Sequence, residues 1–263
     1  MPIVCKNCTN EFEGKFCPQC GQKAKTKRIT TKQVFSEVRQ RIFHYEQGFW
    51  YTSKQLLTRP GHSIREYLEG KRVKHIKPVK FMFWTSAISF LLFHLIGLDK
   101  EMAQKIAEQQ GTSSPIGQQL SQKIFQTFSD HPAIMMFLMI PMIAFWSWLL
   151  FRRRGYNFAE HFVLNTFLMG DLSLASIATL PISKLLSSIS TGTLLMTLFS
   201  LGIWVVYFSW AYAQFFQQRK IGVWLKGGLA ILLGYLFMII LVSILTAVVV
   251  IFFRPQLEAW IMN

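Results

Sequence analysis

Cysteine is absent after residue 20 of this 263-residue chain, and acidic residues are scarce throughout. There are 13 Asp and Glu against 28 Lys and Arg, a formal net charge of +15 at pH 7. Cysteines confined to one end cannot build a disulfide framework across the rest. No HExxH, GxSxG, P-loop or dinucleotide fingerprint occurs, which argues against the common soluble hydrolase and nucleotide chemistries. Residues 1–10 lack the apolar core of a secretory signal. The first long apolar block begins near Val79, so the first membrane helix is expected to act as an uncleaved insertion signal.

What is abundant is apolar sequence. Half of the residues are hydrophobic, with 24 Phe. After Val79 they gather in blocks of about 20, the length a helix needs to cross a bilayer core at about 1.5 Å per residue. The expected architecture is an all-α membrane protein of about five transmembrane helices with a small N-terminal four-cysteine zinc ribbon. Its parts are a ribbon over residues 1–22, a basic amphipathic connector over 23–78 and a helical membrane domain over 79–263. The expected spans are 79–98, 133–151, 162–183, 193–216 and 228–253.

The cysteines fall as Cys5-x-x-Cys8 and Cys17-x-x-Cys20. Two CxxC knuckles supply the four thiolates of a tetrahedral structural Zn²⁺ site. Gly21 follows the second pair and suits the left-handed turn such a knuckle needs. Pro18 fixes φ within it. The eight residues between the pairs leave room for a minimal hairpin with its tip at 13–15. About 20 residues build no core, so the metal must supply the folding free energy. A mononuclear iron or Fe–S site uses the same ligands. With all four positions filled by protein, the centre is expected to be structural rather than catalytic.

Residues 1–78 carry 16 Lys and Arg and 6 acids. Positions 23–32 read as a flexible basic link. Thr30-x-x-Gln33 has the form of a capping box opening an amphipathic helix through Val34, Phe35, Val38, Ile42 and Tyr45. Phe49-Trp50-Tyr51 is an aromatic cluster of the headgroup type. Pro60-Gly61 reads as a turn, Ser63 as the cap of a short helix to Glu69, and Gly70 as its stop. Lys71, Arg72, Lys74 and Lys77 are candidate contacts to lipid phosphate just before the first span.

Cys5-x-x-Cys8…Cys17-Pro18-x-Cys20-Gly21-Gln22, then Thr52-x-x-x-Leu56-Leu57-x-x-Pro60-Gly61 and Arg65-Glu66-Tyr67-x-x-Gly70-Lys71-Arg72…Pro78, resemble an uncharacterised family of bacterial polytopic membrane proteins with an N-terminal zinc ribbon. The resemblance is most specific over residues 1–90. It implies a bacterial inner-membrane location and a ribbon-plus-helices layout, and it brings no activity and no catalytic residues.

Loop charge alternates. Segments 1–78, 152–161 and 217–227 are basic, whereas 99–132 holds three Lys and four acids and 184–192 one Lys. This pattern puts the N-terminus in the cytoplasm and the C-terminus outside. Within 99–132, Ile116, Leu120, Ile124 and Phe128 fall four apart, as in a surface helix.

Asp171 is the one acid inside an expected span. With Asn165 and His94 it forms the set of candidate intramembrane polar residues. Glu160 and His161 precede the third span and, being adjacent, make a poor metal pair. The leading expectation is a non-enzymatic inner-membrane protein whose ribbon and basic arm dock a cytoplasmic protein partner or the anionic lipid surface. A transporter or channel using Asp171 is one alternative, and a lipid-modifying membrane enzyme is another. Nucleic-acid binding by the ribbon is the weakest expectation.

Overall fold

The structure is a computed structural model that describes residues 2–26, 28–31, 48–98, 132–187 and 192–262. Beyond Thr31, the amphipathic helix expected to Tyr45 lies outside the described residues, as does the surface helix expected over 116–128.

The N-terminal unit is built from two equivalent turns. In the first, Thr9 N–H donates to the Cys5 carbonyl and Cys5 N–H to the Asn10 carbonyl; in the second, Gly21 N–H donates to Cys17 and Cys17 N–H to Gln22. Each turn closes through a left-handed residue, Gly21 (φ 73°) in the second and Thr9 (φ 61°) in the first. Glycine adopts that conformation freely, whereas Thr9 does so at a steric cost, with its hydroxyl bonded to the Cys8 carbonyl at 2.6 Å. Strands β1 (Ile3–Val4) and β2 (Glu11–Phe12) pair antiparallel, Ile3 opposite Phe12.

Among the described residues seven α-helices follow: α1 (Phe49–Thr58), α2 (Pro60–Glu69), α3 (Pro78–Leu95), α4 (Pro132–Phe151), α5 (Phe158–Ser187), α6 (Gly192–Phe215) and α7 (Ile221–Met262). Five of them are long and apolar enough to cross a membrane, with windows at Pro78–Leu95, Met136–Arg154, Phe158–Leu185, Thr197–Phe215 and Ile221–Leu245. The chain is therefore a multi-pass helical membrane protein with a four-cysteine cluster at its N-terminus. The first span ends three residues before the expected Leu98, at a turn through Gly97 in the left-handed conformation. The third opens four residues before the expected Phe162, and α7 starts at Ile221 rather than at 228. Charge at 219–226 hides the fact that a helix runs through it.

Helix α1 is not legible in the aromatic cluster 49–51. Helix α2 opens at Pro60, not at Ser63. Proline at the first position has its φ preset and no N–H to satisfy. Ser63 is thereby a buried residue of the helix body rather than a cap. Gly61 is no turn residue. A Cβ there would stand 2.2 Å from the Ala211 carbonyl oxygen and 2.3 Å from Phe215 N, so α2 meets the α6 backbone at this point. Gly70 does stop α2, at φ 119°.

Helix α5 is the axis of the bundle: 61% of its spanning window is buried, against 28–39% for the other four. It packs on α3, α4 and α6, while α7 closes the outside against α4 and α6. Gly170 meets Phe81 and Met82, and Ser176 bonds Ser89, so α3 and α5 run in the same direction. Pairs His161–Ser147 and Asn165–Tyr212 run the opposite way along α4 and α6. Directions alternate through the five spans. The turns 152–157 and 216–220 therefore lie at the same end as the cysteine unit, here the ribbon end.

Candidate metal centre and buried polar sites

The four cysteines are unbridged, and their sulfurs gather at one point. Cys5 Sγ lies 3.5 Å from Cys20 Sγ and Cys8 Sγ 3.6 Å from Cys17 Sγ. A tetrahedron with metal–sulfur bonds of about 2.3 Å has edges of about 3.8 Å, so the set fits a tetrahedral ion with little adjustment. Disulfides would need sulfurs at about 2 Å. Burial pushes the Cys17 thiol up, but the backbone N–H groups of Cys20 and Gln19 and the neighbouring sulfurs outweigh it and bring it down to about 6. Asn10 Nδ2 also points at Cys17 Sγ, at 4.0 Å. At Cys17 these donors favour thiolate, the form that ligates metal, whereas at Cys8 the Asn10 N–H is outweighed by burial and the neighbouring sulfurs, which push the thiol up to about 12. The centre can hold a metal ion, and four protein ligands leave no open position on it.

This unit is not tethered loosely. Positions 23–32 are expected from sequence to be a flexible link, yet Arg28 donates from Nε and Nη2 to the two carboxylate oxygens of Glu160, both at 2.7 Å, and to the Gly155 carbonyl at 2.6 Å. Ile29 is buried in the main core, and its carbonyl accepts from Asn157 Nδ2 at 3.1 Å. The acceptor is itself fixed. Asn157 Oδ1 accepts from Glu160 N–H, and Glu160 Oε2 from Asn157 N–H, a reciprocal cap that starts α5. A fork-to-fork Arg–carboxylate pair is among the stronger polar contacts available to a protein. On the ribbon side, Gln22 Oε1 accepts from Arg72 N–H, and the Gly70 Cα faces Thr26 and Lys6 closely enough to exclude a side chain.

Inside the bundle, the structure separates the three candidate polar residues. Asn165 belongs to a closed network near the ribbon end: it donates to Ser147 Oγ and to the His161 carbonyl, and its Oδ1 accepts from Tyr212. Ser147 in turn meets His161 Nδ1 at 2.9 Å. Asp171 lies six residues farther along α5, fully buried, with Oδ2 accepting from the Tyr207 hydroxyl. Its Oδ1 has no partner among the described residues, and the same holds for His161 Nε2. His94 is exposed and stacks on Phe90. It stands about 18 Å along α3 from the level of Asp171, at about 1.5 Å per residue. Glu160 and His161 diverge as neighbours on a helix must, one toward Arg28 and one into the bundle.

Toward the far end lies a cavity of about 380 Å³ between the spans. Ser86, Ser89, Ser176, Thr179, Thr197 and Ser200 give it a hydroxyl-rich wall, closed on one side by Trp204. Trp204 is one turn from Tyr207 on α6, so the cavity sits above the Asp171–Tyr207 pair. Tyr207 and Ser147 do not stand out in the sequence, because a lone hydroxyl in an apolar run carries no positional signal. Tyr212 reads from sequence, with Trp210, as an interfacial residue at the end of its span, yet it is fully buried on Asn165. Arg28 is hidden there in a basic stretch, although Asn157-x-x-Glu160 has the spacing of a capping box.

The basic run before the first span is partly engaged by the protein. Arg72 donates to the Tyr67 and Leu68 carbonyls at the end of α2 and lies over the Tyr67 ring. Lys71 pairs with Glu66 at 3.6 Å, and Lys74 lies over Tyr51. His75 is enclosed by Tyr51, Tyr67 and Thr52. Burial pushes it down to about 4, so it is neutral at pH 7.

Residues 46–90 match a family described as a protein of unknown function, DUF3667. The matched segment runs through α1, α2 and the first two thirds of α3. It holds the Gly61 contact to α6 and the Gly70 contact to the cysteine unit. No curated protein and no solved structure matches the chain.

Proposed function

We propose that this is a non-enzymatic protein of the bacterial inner membrane that presents a zinc-clipped ribbon to a cytoplasmic protein partner. The observation that carries the reading is the Arg28–Glu160 fork, which makes the ribbon a rigid extension of the bundle rather than a tethered bead. A rigid mount suits a docking surface, because little ordering entropy is lost on binding. The ribbon also exposes Val4 and Phe16, each 56% exposed, amid Lys6, Lys15, Lys23 and Lys25. Zinc fits best among metals for four thiolates at tetrahedral spacing, and a shell so filled supplies stability rather than chemistry.

Basic turns at the ribbon end support an orientation with that end in the cytoplasm and the C-terminus outside. The test places a photo-crosslinking amino acid at Phe16 or Val4 in cells. A discrete protein adduct, lost when Cys17→Ser removes the metal, is the expected result. The absence of any adduct dependent on the ribbon would overturn the docking role.

A second reading has its own observation. Asp171, fully buried below a hydroxyl-lined cavity with one carboxylate oxygen unpartnered among the described residues, is the arrangement an ion or proton pathway would use. Asp171→Asn separates the two readings, since it leaves the ribbon untouched.

A further inference from the structure

At the ribbon end, a groove of about 580 Å³ opens between the turn 152–154 and the start of α7. None of the basic run 71–77 lines it, and nothing in the docking role uses it. Its rim carries Arg152, Arg153, Arg154, Lys220 and Lys226, and no acid among the described residues lines it. Some other cations at this end are matched by acids: Arg59 and Lys71 face Glu66, and Arg65 faces Glu69. The nearest acid by sequence, Glu160, is occupied by Arg28 and by its own cap. Among the described residues, then, no acid compensates the positive field in the groove.

Two of the rim cations are braced rather than loose. Arg154 donates to Gln218 Oε1 at 2.6 Å and Lys226 to the Leu150 carbonyl at 3.4 Å, each keeping further N–H groups free to donate. The start of α7 at Ile221 adds the positive end of its helix dipole to the same side, although the Val223 and Trp224 N–H groups already donate to the Lys220 carbonyl. On its inner wall the groove changes character. Leu149, Leu150, Phe151 and Val223 line it there, and exposed Leu225 and Leu229 continue the apolar face along α7.

We propose that this groove binds the headgroup phosphate of an anionic phospholipid. The phosphate sits among the arginine and lysine N–H groups, and the glycerol and chain stems run down the apolar wall between α4 and α7. The inference rests on the membrane-spanning reading and is independent of the docking role. The apolar wall is what favours a lipid over free phosphate. A site for an inorganic ion would be polar on all sides, and a groove of this volume exceeds what one phosphate fills. The positive charge selects against a zwitterionic headgroup, whose choline cation the arginines repel.

The test uses the full-length protein in mild detergent and native mass spectrometry, with phosphatidylglycerol, phosphatidylcholine and sodium phosphate as probes. Phosphatidylglycerol is expected to be retained at one per chain and phosphatidylcholine not. In Arg153→Gln/Lys220→Gln/Lys226→Gln, retention is expected to fall about tenfold, a loss that charge-assisted contacts readily account for. In Lys71→Gln/Lys74→Gln/Lys77→Gln it should be unchanged. Equal loss in both triple variants would mean diffuse charge attraction and overturn the site. Displacement of the lipid by millimolar sodium phosphate would assign the groove to free phosphate and overturn the lipid. A photoactivatable phosphatidylglycerol on the unmodified protein guards against a folding defect: adducts should map to peptides containing 149–154 or 220–226, and adducts confined to other peptides would refute the proposal.

Discussion

The two ends of the bundle are built on different terms. At the ribbon end the interior is filled, and the groove between 152–154 and the start of α7 opens only on its surface. Phe151 stacks on Tyr212 and Phe216, Tyr156 and Phe215 fill beside them, and Ser147, Asn165 and Tyr212 satisfy one another. Helix α2 presses its backbone at Gly61 into α6, and Arg28 binds the ribbon to α5. Toward the far end the helices part around a hydroxyl-lined cavity, and Leu185, Leu194 and Leu198 are exposed. The difference teaches where rigidity is concentrated. The protein fixes the end that carries its metal centre and leaves packing space at the other, so perturbations should be severe at the first and mild at the second.

The sharpest way to break this contrast uses two glycines of neighbouring elements. Gly61→Ala drives a Cβ into the backbone of α6, and backbone has no rotamer to yield. The expected loss is more than about 4 kcal/mol, the scale reserved for overpacking that a core cannot absorb. Gly202, in the far half of α6, has nothing within 4 Å of its Cβ position. Gly202→Ala should change stability by no more than about 1 kcal/mol, with the sign favouring alanine. Thermal unfolding of both variants in detergent decides it. Equal melting temperatures would dissolve the distinction between the ends.

Next in size is the latch. Arg28→Ala leaves the Glu160 carboxylate, 7% exposed, without its cation. Stranding such a group costs about 2 kcal/mol. The effect should be local: the ribbon becomes a substrate for limited proteolysis at 23–31 while the spans keep their melting profile. Arg28→Lys restores one contact but not the fork, and should protect partially. Proteolysis no faster than in the wild type would show that the ribbon is held by its Gln22 and Gly70 contacts instead.

Acid should act at the ribbon end too, through His75. Burial holds it at about 4, with Glu66 opposing and Arg59 adding to the effect. In the unfolded chain it titrates at about 6.5. Between those values the unfolded state binds the extra proton, so stability is present in full above about pH 6.5 and is lost as pH falls toward 4. From pH 7 to pH 5 the loss is about 2 kcal/mol, or roughly 5 °C in melting temperature for a chain of this size. His75→Gln should be less sensitive than the wild type by that amount. Identical pH profiles would place the acid lability in other groups.

The spans and the metal ligands are legible in the sequence because both are repetitive signals. Twenty apolar residues in a row and four cysteines in two equal knuckles each repeat one physical requirement many times. Single contacts repeat nothing. Gly61 reads as a turn beside Pro60 until its neighbour Ala211, far along the chain on α6, is known. Arg28 is one of many basic residues until Glu160 is brought to it across 132 positions. Asp171, Asn165 and His94 form a set in the sequence because all three are polar in apolar runs. The helical rise and the packing put them at three levels, and the partners of Asp171 and Asn165 are tyrosines and a serine that fit any apolar helix. Ser63 reads as a cap under a general rule that a more specific one, proline at the first helical position, overrides.

The smallest effect is expected where the second functional reading is tested. Asp171 receives one hydrogen bond, from Tyr207, and its other oxygen has no partner among the described residues. Asn in its place keeps an acceptor for Tyr207 and puts an amide where the bare oxygen stood. Stability should therefore change by no more than about 1 kcal/mol, since both residues make one buried hydrogen bond of similar strength. Tyr207→Phe is the informative partner. It strips Asp171 of its only identified donor and should cost about 1–3 kcal/mol in the wild-type background. In the Asp171→Asn background the cost should be smaller, because a neutral amide loses less than a carboxylate when stranded. The double-mutant cycle thus reads whether Asp171 carries charge in the membrane. A coupling near zero means a neutral, structural Asp171, and the far end is then loose packing. A coupling of about 1 kcal/mol or more means a carboxylate held ready beneath an open cavity. In that case the far end is loose for a reason, and ion flux through the reconstituted protein becomes the measurement to make.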